Sequence, residues 1–153
     1  MKISFDWLRE YVDIDVTPAE LAERLTLLGF EVDGMIETGP KSLDGIVIGR
    51  VLGVRRHPDA DRLVLCDVDT GSGEPAQIVC GAPNVAADQL VPVALPGTVL
   101  HLPDRDDRSK RVAVKLQKTK IRGQVSNGMI CAEDELGLSD DHSGIMVLGD
   151  DAP

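Results

Sequence analysis

Aromatic side chains are scarce in this sequence. They make up 3% of its 153 residues, and all four, Phe5, Trp7, Tyr11 and Phe30, fall within the first 30 positions, so residues 40–150 contain none. Cysteine is also rare. Cys66, Cys80 and Cys131 form no Cys-x-x-Cys pair and are too few for a disulfide framework, so reduced and mostly buried thiols are expected. No apolar run approaches the ~20 residues needed to cross a bilayer. An acid, Asp6, stands where a signal peptide would carry its apolar stretch, so the expected location is cytoplasmic. There is no Walker-type glycine loop, no evident nucleophile–base pair and no histidine pair with metal spacing, so neither catalytic nor metal-ligating residues are expected.

Apolar residues at 42% and charged residues at 27% match an ordinary globular protein, and the length suits one domain or two small ones. The net charge is −10, from 16 basic and 26 acidic residues, which taken alone argues against broad binding to polyanions. Its distribution says something different. Residues 1–39 hold three bases against nine acids; residues 108–122 hold seven bases and no acid; residues 133–151 hold seven acids and no base. The basic stretch is the one plausible polyanion surface, although lysines on a strand edge also guard against aggregation.

The texture changes near Thr38-Gly39-Pro40. Before it the pattern is helical. Ser4 precedes a segment in which Trp7, Leu8, Tyr11 and Val12 share one helix face. Thr17-Pro18-Ala19-Glu20 has the residues of a capping box, Leu21, Leu25 and Leu28 form the expected buried stripe, and Gly29 suits the C-terminal cap. A unit of 39 residues buries too little surface to be stable alone. From residue 44 onward, β-branched runs of strand length begin at Ile46, Leu63, Ala76 and Leu90, and residues 112–121 make a fifth. The expected class is therefore mainly β with short helices (α+β). Five short strands with glycines at the bends predict a small, nearly closed barrel of the OB type, with a sandwich as the alternative. The expected domains are 1–39 as the first part of a helical module, 40–150 as the OB-fold, and 151–153 as the start of a return to the first module.

In the fifth strand Val112, Val114 and Leu116 share a face by period two, and the same count reaches Lys118, Lys120 and Arg122. Either the strand leaves the barrel after Leu116 or a bulge resets its phase and turns Ile121 inward; both display the three cations as a row. This row is favoured over the arginines of the 103–111 loop, which Asp104, Asp106 and Asp107 partly neutralise.

Three blocks stand out in order: His57-Pro58-Asp59-Ala60-Asp61-Arg62-Leu63, Ile78-Val79-Cys80-Gly81-Ala82-Pro83-Asn84, and residues 118–131 from Lys118 through Gly123-Gln124-Val125-Ser126-Asn127-Gly128-Met129 to Cys131. The first, read alone, is a turn that Asp59 and Asp61 can cap. Together the blocks resemble the tRNA-binding domain family, an OB-fold module appended to several aminoacyl-tRNA synthetases. The opening residues 1–12, the Leu28-Gly29-Phe30-Glu31-Val32-Asp33 segment and Glu135-Leu136-Gly137-Leu138-Ser139-Asp140-Asp141-His142-Ser143-Gly144-Ile145 resemble the N-terminal region of bacterial phenylalanyl-tRNA synthetase beta subunits, so the resemblance spans essentially the whole chain. It implies that the chain is an N-terminal fragment, with a discontinuous first module whose second half follows the OB-fold. For the full enzyme it implies ATP-dependent charging of tRNA with phenylalanine, magnesium, and a synthetase alpha subunit as partner in a tetramer of two alpha and two beta subunits, with both catalytic centres elsewhere.

Carried over residue by residue, the resemblance places tRNA contacts at Asn84, Ser126 and Met129, with Lys118, Lys120 and Arg122 supplying phosphate contacts. Each of the first three also has a plain reading: a turn residue after Pro83, a bend between strands, and barrel core. Ala132 departs from the family, which commonly has serine there, and the 103–111 stretch looks like a lengthened loop. OB-folds usually grip single strands with aromatic platforms. Without them, contacts to phosphate and sugar should dominate, giving salt-sensitive binding with little base specificity. Asp140-Asp141-His142 reads as a solvated turn. Two functions follow: an auxiliary RNA-binding module, or an assembly scaffold with weak or no RNA binding, which the net acidity favours.

Overall fold

A computed structural model describes residues 2–36, 39–40, 42–104, 107 and 110–149. The chain divides between residues 38 and 39 into two compact units. In the first unit, α1 (Phe5–Arg9) starts at Ser4, whose Oγ accepts from the Trp7 N–H. Helix α2 (Pro18–Leu27) has the predicted capping box: the Glu20 N–H donates to Thr17 Oγ1 at 3.3 Å, and the Thr17 N–H donates to Glu20 Oε2 at 2.8 Å. It ends as the sequence predicts, in a Schellman turn, where Gly29 (φ +92°) donates to Thr26 O and Phe30 to Leu25 O. The burial expected of these helices is not found. Neither contains a buried residue; Leu21 and Leu25 are half-buried and Leu28 is exposed. α1 also stops at Arg9, leaving Tyr11 and Val12 outside it and exposed.

The second unit is mostly β. Strands β1 (Ile46–Arg56), β2 (Val64–Asp69), β3 (Ala76–Cys80), β4 (Leu90–Ala94) and β9 (Met129–Ile130) form an antiparallel sheet in the order β3-β2-β1-β4-β9. A bulge at Leu52 lets the long β1 curl between two neighbours. Gly49 is demanded by the packing there, because a Cβ would lie 2.8 Å from Val68 and 2.9 Å from Val93. The sheet wraps into a nearly closed, five-stranded barrel consistent with the OB-fold. Val51, Cys66, Val68, Ile78, Val91 and Val93 fill its core, all fully buried.

Two small hairpins complete the unit: β5 (Val99–Pro103) with β6 (Arg111–Lys115), and β7 (Thr119–Ile121) with β8 (Gln124–Ser126). The predicted fifth strand, 112–121, is thus two strands. Leu116 exchanges hydrogen bonds with Gly97 and Thr98, ending the β5–β6 ladder, and the chain then pairs with β8 instead. The break separates the expected row of cations: Lys118 precedes β7, Lys120 lies within it and Arg122 occupies the turn after it. Val112 and Val114 remain exposed because, among the described residues, β6 pairs with β5 alone. A second apolar cluster of Ala94, Leu100, Cys131 and Leu136 joins β5 to α3 (Glu133–Leu136). The three cysteines are buried and free. No helix among the described residues is long and apolar enough to cross a membrane. The expected return segment 151–153 lies outside the described residues, as do Arg105, Asp106 and Arg108 of the lengthened loop.

Candidate nucleic-acid interface

All three sequence blocks converge where the β7–β8 hairpin closes the barrel. Ser126 is the joint. Its Oγ accepts from the Val79 N–H at 3.0 Å and donates to Gly128 O at 2.9 Å. Beside it the Asn127 N–H donates to Gln77 O at 2.8 Å, and Gln77 Nε2 donates to Val125 O at 2.8 Å. The other strand of the hairpin is held by His57. Its Nδ1 accepts from the Asp59 N–H at 3.0 Å, which places the ring proton on Nε2, the donor to Ile121 O at 3.1 Å. The first block is therefore a turn capped by the His57 ring rather than by its two acids, because an imidazole acceptor is already positioned over the Asp59 amide.

The pairs Thr119–Ser126 and Ile121–Gln124 put alternate residues of β7 on one face and Lys120 on the other. Thr119, Ile121 and Ser126 line a cleft of about 420 Å³, whose remaining walls include Pro83, Met129, Glu135 and His142. Lys120 thus stands on the outer side of the cleft wall. Arg122 and Gly123 make the hairpin tip, with φ of +46° and +85°, the signature of a type I′ turn. Asparagine or glycine adopts the first of these positions with less strain than arginine. Lys115, Lys118, Lys120 and Arg122 are exposed and form no ion pair among the described residues, whereas Lys110 pairs with Asp107 at 3.2 Å and Arg111 donates to the carbonyls of His101 and Asp134.

The other expected site residues have internal partners. Asn84 clamps the backbone of Ile145 across 61 positions, with Nδ2 donating to Ile145 O at 2.8 Å and Oδ1 accepting from Ile145 N–H at 2.9 Å. Both hydrogen-bonding groups of its amide are used, as is the Ser126 hydroxyl. Met129 packs on the second apolar cluster and also lines the cleft.

Groups that the sequence left unassigned complete the cleft. Glu135 Oε2 accepts from the Ala132 N–H at 2.8 Å, and burial holds its carboxyl above the usual carboxylate range. Burial also pushes the neighbouring Cys131 thiol up to about 12. His142 Nδ1 donates to Oδ1 of the buried Asp134 at 3.0 Å. Asp141 forms the predicted turn, its Oδ1 accepting from Ser143 N–H at 2.8 Å, which lowers its pKa.

An OB-type barrel with a cationic hairpin over an open cleft defines the class. Residues 46–153, more than half the chain, match the family model described as "Putative tRNA binding domain". The chain belongs to this family. It is similar over its whole length, at 61% identity, to the phenylalanine–tRNA ligase beta subunit of Salinibacter ruber, and at 51% over 97% of its length to those of Nitratidesulfovibrio vulgaris and Bacteroides thetaiotaomicron. It spans only 18%, 17% and 17% of those relatives, respectively.

Proposed function

We propose that residues 39–149 dock tRNA as an auxiliary, non-catalytic module of a phenylalanine–tRNA ligase beta subunit in the cytoplasm. The observation that carries this reading is a set of exposed cations on and beside one anchored hairpin in a tRNA-binding fold: Lys118 just before it, Lys120 on its outer side and Arg122 at its tip, none of them in an ion pair among the described residues. They would meet phosphates. Met129 offers apolar surface inside the cleft, while Asn84 and Ser126 hold the cleft walls in shape and have only their remaining lone pairs and the second Asn84 N–H for RNA. The alpha subunit would bind other parts of the longer chain. ATP and magnesium would serve the catalytic centre of the longer enzyme. The first unit, whose helices leave Leu27, Leu28 and Phe30 exposed, fits the first part of a discontinuous module completed by later residues.

A scaffold role in subunit assembly is the second reading. The net charge of −10 and the internal commitments of Asn84 and Ser126 favour it. The two readings separate in the binding of labelled tRNA across a salt series. Phosphate contacts make log affinity fall linearly with log salt, and the triple variant Lys118→Glu, Lys120→Glu, Arg122→Glu should lose about three from that slope. An unchanged slope would sink the assignment to this hairpin.

A further inference from the structure

We propose that His142 reads ribose: its Nε2 bonds the 2′-hydroxyl of one unpaired nucleotide seated in the cleft, a contact that rests on the RNA-binding reading above. Asp134 is 2% exposed and takes the Nδ1 proton of His142, fixing the tilt of a ring whose side chain is itself 51% exposed. Nε2, on the opposite side of the ring, has no partner among the described residues, and His142 lines the cleft. A buried carboxylate that orients a cleft-lining imidazole, whose other nitrogen has no partner among the described residues, makes a built hydrogen-bonding site.

The surrounding chemistry selects the ligand group. Ala82, Pro83, Ile121, Met129 and Ile145 supply apolar wall for a base and sugar. Asp134 and Glu135 place two carboxyl groups beside His142, so a phosphate is disfavoured at that depth, and Lys120 and Arg122, proposed to hold phosphates, lie on the outer side and at the tip of the hairpin. A ribose 2′-hydroxyl both donates and accepts, so it pairs with Nε2 as the acceptor of a neutral ring or as the donor of an imidazolium. Base edges differ from one another; the 2′-hydroxyl is present on every ribonucleotide, which gives RNA selectivity without sequence selectivity. A cleft of about 420 Å³ is in the range of small-ligand sites and admits a nucleotide, not a duplex.

The test uses the whole chain and four probes: tRNA, a short single-stranded RNA, the DNA of the same sequence, and its 2′-O-methyl RNA. One hydrogen bond should make the RNA bind about five- to tenfold tighter than the DNA. His142→Ala should bring RNA down to the DNA level while changing DNA binding less than about twofold. His142→Asn, which keeps an amide within reach of Asp134, is run beside it with melting curves, so that lost folding is told apart from lost recognition. Equal binding of RNA and DNA by the unaltered chain overturns the proposal, as does an equal loss for both polymers in a folded His142 variant. If tRNA still binds in a salt-dependent way in either case, the proposed function stands. Failure to bind any of the four probes overturns both.

Discussion

The two units of this chain obey local rules equally well and differ in what they bury. Helix α2 has a complete capping box and a Schellman end, yet no buried residue, whereas the barrel has a row of fully buried aliphatic side chains and needs its longest strand to bulge to enclose them. Hydrogen bonds at helix ends choose where a helix starts and stops; burial of apolar surface decides whether it persists. The contrast makes predictions that can be ranked.

The largest concerns opening. Amides of β1, β2 and β4 should exchange with deuterium slower than those of α2 by a factor of order a thousand, because core strands open only with global unfolding and a helix without a core opens locally. Equal protection would erase the distinction. Next, Ile78→Ala should cost the barrel about 2–5 kcal/mol in chemical denaturation, while Leu25→Ala in the half-buried stripe should leave the barrel midpoint unmoved. Smaller again, Ser126→Ala removes a buried hydroxyl, leaves the half-buried Val79 N–H without its acceptor, and should cost about 1–3 kcal/mol. Its counterpart Thr17→Ala should cost about 1 kcal/mol, visible only as lost helical circular dichroism.

The smallest is a pair of opposite pH effects. The folded pKa of Glu135 is raised by burial, so its contribution favours folding in acid and is lost as pH rises through the ordinary glutamate range and beyond. The folded pKa of Glu20 is lowered, chiefly by its hydrogen bond from the Thr17 amide; its contribution is present above the ordinary glutamate range and disappears as pH falls through that lowered value. Glu135→Gln should therefore flatten the barrel's pH profile on the less acidic side, and Glu20→Gln should remove acid-induced loss of helicity. Profiles unchanged by either substitution would contradict the assigned causes.

These contrasts also mark what could be read from the residues alone. The α2 caps and β1 to β4 are signalled within a few positions, by Thr17, Pro18, Glu20 and Gly29 and by β-branched runs. The break after Lys115 carries no such signal, because period two continues through residues 116–118 and only the choice of partner strand ends it. β5 is obscured by His101 and Pro103 beside a loop of mixed charge. In the site, the cations were legible as charge. The ties that build the cleft were not, since His57 meets Ile121 across 64 positions and Asn84 meets Ile145 across 61. Asp134 and His142 lie eight apart, but their pairing depends on the turn that Asp141 and Ser143 fold between them.

The most direct test of the central claim is a hydrogen-exchange footprint of tRNA on the whole chain at low salt. The account predicts added protection confined to residues 117–129 and 142–145, the hairpin and cleft, with α1 and α2 unchanged. Protection centred on residues 2–36, or on the outer face of β1 and β2 with the hairpin untouched, would contradict it.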